Sequence, residues 1–133
     1  MSGVSIVGAL LRAHAPLIAE VPVESIKAGK LPDGVALPAV LIRSVSLVER
    51  RTVRRGEVVR STERVAVAVR AGSYREQRAI IRKVRMCCAG QVGAVGGGTD
   101  VSIQSAGTGP DVGGPADSFE QTQDFLVSFN EAT

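Results

Sequence analysis

Aromatic side chains make up only 3% of this 133-residue chain, with one tyrosine, three phenylalanines and no tryptophan. That scarcity argues against a stacking platform for nucleobases and leaves the core to valine, isoleucine, leucine and alanine. There is a single histidine, His14, so a histidine-based triad or a metal site with several histidines is excluded by count. The two cysteines, Cys87 and Cys88, are adjacent, and neighbours on a helix point about 100° apart, which disfavours a mutual disulfide. No second cysteine pair completes a zinc set, so both are expected in the core or on a helix flank, in a protein made in a reducing cytosol. No apolar run reaches the roughly 18 residues of a membrane span, and Val4 to Leu11 has no basic flank before it, so the expectation is a soluble, unsecreted chain without a membrane partner.

Apolar residues form 44% of the sequence, enough at this length for one domain covering residues 1–133. Val4, Val7, Leu10 and Leu11 recur at helical spacing, Ser2 can cap the start, and Pro16 ends the pattern near His14. The stretch Leu17 to Leu37 is broken by Pro22, Gly29, Pro32 and Gly34 and reads as connection, with room for one extra turn and a brief extended piece around Val23 to Ile26. Pro38 then sets Leu37 in an extended conformation ahead of the strand Ala39 to Arg50. The alternation Val65, Val67, Val69 marks a second strand, Arg60 to Ala71. Ser73 followed by Glu76 is a capping-box pattern that opens a helix with an apolar face of Ile80, Ile81, Val84, Cys87 and Cys88, closed by Gly90.

Gln91 to Thr99 reads as a flexible glycine-rich loop. It lacks the Gly-Lys-Ser/Thr ending of a phosphate loop and the spacing of a dinucleotide fingerprint. Val101, Ile103 and Ser105 share one face of a short strand. Ala106 to Ser118 holds too many glycines and prolines for a regular element, and Phe119 to Asn130 reads as a terminal strand with Phe125, Val127 and Phe129 on its core face. The predicted order of helix, two strands, helix, two strands is that of an α+β domain: an antiparallel sheet of about four strands with a long basic hairpin, packed on one side by two α-helices.

Charge is strongly segregated beneath a net charge of +3. Residues 1–42 carry three bases and three acids, residues 43–85 thirteen bases and four acids, and residues 100–133 six acids and no base. Either two solvated surfaces or a contact between unlike parts of neighbouring protomers accounts for this. The basic hairpin supplies Arg50, Arg51, Arg54, Arg55, Arg60 and Arg64, and the acidic third supplies Asp111, Asp117, Glu120 and Asp124. The arginines fit a solvated hairpin, a protein-binding arm, or a salt-dependent phosphate contact. His14 at a helix end is a capping or surface residue, and no acid, base or nucleophile converges with another in the pattern. The expectation is a protein that is not an enzyme and needs no cofactor.

Taken in order, several elements resemble the tail-terminator or tail-completion family of long-tailed bacteriophages, the tail-to-head joining proteins. They are the N-terminal helix with Leu10-Leu11, the lead-in Gly29-Lys30-Leu31-Pro32-Asp33-Gly34 with Leu37-Pro38-Ala39-Val40, and the strand Val65 to Val69. Ala71-Gly72-Ser73-Tyr74-Arg75-Glu76 opening the helix and the final Phe125-Leu126-Val127-Ser128-Phe129 complete the likeness. The resemblance implies a structural phage or prophage protein of the virion's tail-head junction, made in the host bacterial cytoplasm. It would form a hexameric ring that caps the tail tube, end tail polymerisation and join tail to head. Implied partners are other copies of the chain, the major tail tube protein and a head completion or connector protein, with DNA met only in passage through the ring. The ten charged residues named above would then belong to subunit or partner interfaces.

Overall fold

Three long strands carry the fold of the computed structural model, which describes residues 2–32, 34–50 and 58–132. Helix α1 (Gly3–Ala13) and the short α2 (Ala15–Ile18) lead through a 3-10 turn at Val23–Ser25 to β1 (Ile26–Ala28). The long strands β2 (Ala39–Arg50) and β3 (Val58–Ala71) precede α3 (Tyr74–Cys88). Then come β4 (Val92–Val95), β5 (Gly98–Thr108), β6 (Val112–Gly113), a 3-10 turn at Pro115–Asp117 and β7 (Phe119–Ala132). In the sheet the order is β1-β2-β3-β7-β5-β4, with β6 also paired to β7.

This overturns the expected fold class. Instead of about four antiparallel strands and two helices, the chain is mostly β, 48% strand, with a curled, mixed seven-stranded sheet and three α-helices. The mixed character comes from β1, which pairs in parallel with the start of β2, Ile26 opposite Val40 and Ala28 opposite Ile42. Gly29 to Pro38 is therefore the crossover that returns the chain to the start of β2 beside β1. The stretch read as a flexible glycine loop is a hairpin between β4 and β5. Gly96 and Gly97 have φ of 57° and 83°, the pair of positive values that a two-residue type I′ turn demands. A Cβ on Gly96 would also lie 2.6 Å from the Ile6 carbonyl oxygen, so α1 packs directly over this turn.

The side-chain period of two divides β3 and β7 into two faces. Toward the helices point Val65, Val67 and Val69 from β3 and Phe125, Val127 and Phe129 from β7, each at most 1% exposed. They form one contiguous core with Ile6, Val7 and Leu11 of α1 and Ile80, Ile81 and Val84 of α3. Burying each phenylalanine contributes roughly 1.5–3 kcal/mol before conformational entropy is charged against it. Ile6 is the core residue that the Val4-Val7-Leu10-Leu11 stripe omits; Val4 and Leu10 sit at its partly buried margin. The Ser73 hydroxyl accepts the Glu76 amide at 3.2 Å, capping α3 as its sequence predicts. At α1, Ser2 and Ser5 cap each other's backbone amides.

A buried carboxylate joins α1 to the sheet. Glu63 Oε1 accepts the Gly3 amide at 2.7 Å, placing negative charge at the helix N-terminus, where unpaired N–H groups favour it. A side chain on Gly3 would come within 2.9 Å of that oxygen. Cys87 and Cys88 are free and buried, and Cys87 Sγ lies 3.4 Å from the Leu10 carbonyl oxygen. The hydrogen bond to Cys87 and burial together push the Cys88 thiol well above the usual range, which suits an inert core residue.

Candidate functional site

No helix among the described residues is long and apolar enough to cross a membrane. Among those residues, too, no group of three or more His, Cys, Asp or Glu side chains gathers as a metal site would require. The features that can meet another molecule are the open face of the sheet, the free edge of β2 and the outer side of α3.

On the open face, antiparallel pairing of β3 with β7 sets Arg64 near Asp124 and Arg70 opposite Glu120. Arg64 Nε donates to Asp124 Oδ2 at 2.8 Å and Arg70 Nε to Glu120 Oε2 at 3.0 Å. Arg64 also donates to the Ala106 carbonyl at 3.2 Å. Charges that lie far apart in sequence are thus compensated inside one protomer. Arg50 and Arg60 face each other across β2 and β3, a repulsive juxtaposition. The Arg60 guanidinium turns to the Asp100 carbonyl oxygen and, at 3.2 Å, to Asn130 Oδ1. Asp117 lies in the turn at Pro115–Asp117, where it and Ala116 take left-handed φ of 58° and 54°. Asp111 joins none of the described hairpin arginines and instead accepts the Tyr74 hydroxyl. Arg51, Arg54 and Arg55 lie outside the described residues.

The edge of β2 is the second feature. Among the described residues, β1 covers it only as far as Ile42, and from Arg43 to Arg50 every residue is exposed. A bulge at Val45 changes the register. Beyond it Leu47 shares the helix-side face with Glu63 and Val48 takes the open face, so apolar surface appears on both sides of the strand. Val45, Leu47 and Val48 are 57%, 48% and 61% exposed. An uncovered edge with apolar side chains is a template for pairing with another chain. Next to it the crossover loop encloses a cleft of about 430 Å³ with Lys30, Leu37, Leu41, Arg43 and Arg70 in its walls. The exposed edge was not legible in sequence, because an apolar strand looks the same whether a neighbour covers it or not.

The chain matches no family model and no curated protein. Among solved structures it is similar to a chain in the virion of a native gene transfer agent particle. That likeness has a TM-score of 0.77 at 15% identity and covers 98% of this chain and 96% of the other. It spans the whole topology described above and establishes a shared fold.

Proposed function

We propose that this chain is a structural protein of a phage-like virion, and within it a tail terminator. In this reading its copies form a ring, a hexamer by the family resemblance, that caps the tail tube, ends tail polymerisation and joins tail to head. The observation that carries the proposal is the end-to-end fold likeness to a chain of a gene transfer agent virion, in a sequence whose ordered elements resemble tail terminators.

The exposed β2 edge supports it physically. A closed ring is built from head-to-tail contacts between unlike surfaces of identical subunits, and among the described residues Arg43 to Val48 offers an edge with no neighbouring strand and exposed apolar side chains for one half of such a contact. The work done is steric and adhesive, with no bond made or broken. Light scattering after size exclusion, followed by co-sedimentation with assembled tail tubes, tests this reading. A ring mass, or tube binding by a chain that is monomeric when free, is the expected result. A species that stays monomeric at high concentration and does not bind tubes overturns it. So does steep, salt-dependent binding to duplex DNA by a monomer that ignores tubes.

A further inference from the structure

The chain has four aromatic residues. Phe125 and Phe129 are buried in the core, whereas Tyr74 and Phe119 are 43% and 38% exposed and pack edge to face with ring centroids 6.1 Å apart. An aromatic-poor protein therefore keeps half of these side chains at one surface point. Arg78 lies over the Tyr74 ring, 5.7 Å from its centroid, and donates to the Tyr74 hydroxyl at 3.1 Å. That hydroxyl donates in turn to Asp111 Oδ2 at 3.0 Å. Arg82 and Arg85 follow Arg78 along α3, and Arg85 donates to Thr108 Oγ1 at 3.3 Å. The three arginines, with Ile81, Thr108 and Gln121, line a groove of about 300 Å³. Its floor is held in place: Gln121 accepts Gln77 Nε2 at 2.6 Å and gives its own amide to the Gly109 carbonyl at 2.8 Å.

Exposed aromatics next to arginine are the composition of protein-binding hot spots. The charge says what kind of protein. Arg64 and Arg70 on the open face are neutralised by carboxylates, but among the described residues no carboxylate forms an ion pair with Arg78, Arg82 or Arg85. Among the described residues, most carboxylates that a second copy could offer are already engaged. Glu20, Glu120 and Asp124 are held in ion pairs, Asp100, Asp111 and Glu131 accept hydrogen bonds within their own chain, Glu63 is buried, and Glu24, Glu76 and Asp117 stand on three separate elements. A nucleobase would find the Tyr74 ring already taken by Phe119 and Arg78. Arg78 and Arg82 rise about 6 Å apart along the helix axis, close to the roughly 6.6–6.8 Å between alternate residues of an extended chain.

We propose that the groove of Arg78, Arg82 and Arg85, with the Tyr74–Phe119 pair beside it at Arg78, is the docking site for an extended acidic segment of a different protein, one that alternates carboxylates with apolar side chains. The proposal stands on the groove alone and is independent of ring formation. Its test is fluorescence anisotropy with a labelled seven-residue peptide alternating Asp and Leu, with the full chain as receptor. The expected result is saturable binding that weakens about tenfold in Arg82→Glu and within twofold in Arg43→Glu, a charge reversal of equal size on the open face. Thermal melting and size exclusion of Arg82→Glu should match those of the parent chain. Absence of saturable binding, an equal loss in Arg43→Glu, or displacement of the peptide by a short DNA duplex of higher affinity would overturn the proposal. A changed oligomeric mass in Arg82→Glu would overturn it too, since the groove would then be a contact between copies.

Discussion

β3 and β7 meet twice, once on each face of the sheet, and the two meetings differ in kind. Under the helices they meet through Val65, Phe125 and Phe129, dry and at most 1% exposed. On the open face they meet through the Arg64–Asp124 and Arg70–Glu120 pairs, whose side chains are 22–39% exposed. The first contact removes apolar area from water and is where stability resides. The second exchanges hydrated charges for ion pairs in a partly wet setting, where the net gain is small. The same backbone pairing thus provides one face that holds the fold and another that remains available to other molecules.

Substitutions sharpen that contrast in decreasing order of effect. Phe125→Ala should destabilise the chain by about 3–5 kcal/mol, measured by urea denaturation, because it opens a cavity in the core, where Phe125 is fully buried. Gly96→Val adds a β-branched side chain at positive φ and drives Cβ toward the Ile6 carbonyl. A loss of about 2 kcal/mol or more is expected, and a loss below that of an exposed surface change would remove the tight turn from the account. Glu63→Ala leaves the Gly3 amide without its acceptor and should cost about 1–3 kcal/mol, together with faster hydrogen exchange at the start of α1. On the open face, a double-mutant cycle of Arg64→Ala and Asp124→Ala should return a coupling below about 1 kcal/mol; a larger value would mean that this face also holds the fold. Leu47→Ser with Val48→Ser should shift stability by no more than about 0.5 kcal/mol while reducing self-association or tube binding, which separates the edge's assembly role from folding.

Much of the covered face is legible in the sequence. Val65, Val67 and Val69 alternate and are buried, Phe125, Val127 and Phe129 share the core face read for them, and Ser73 caps the helix it was expected to start. Each of those signals is local, a repeat or a cap within a few residues. The short strands are less legible: the extended piece expected around Val23 to Ile26 meets β1 only at Ile26, and β4 and β6 fall in stretches that read as loops. β1, β4 and β6 have 3, 4 and 2 residues, too few to display a period, and each exists because a longer neighbour supplies hydrogen-bond partners. The Gly96-Gly97 pair was the one available clue to the β4–β5 hairpin.

The candidate site was less legible. The arginines and acids were visible as composition, but Arg64 with Asp124, and Arg70 with Glu120, are brought together by strands some fifty to sixty residues apart in the chain. Segregation along the sequence therefore did not mean segregation in space. Tyr74 and Phe119 gave only the signal of rarity, since nothing in a one-dimensional pattern says that two of four aromatics will meet outside the core.

The sequence alone determined the core faces of β3, α3 and β7 and where α1 and α3 begin, because hydrophobic period and capping act over a few neighbours. Only the tertiary structure decided the parallel β1, the internal pairing of opposite charges, the uncovered edge of β2 and the aromatic-arginine groove. Each depends on which strand lies beside which, a choice made by the packing of whole elements against one another and by no short stretch of the chain.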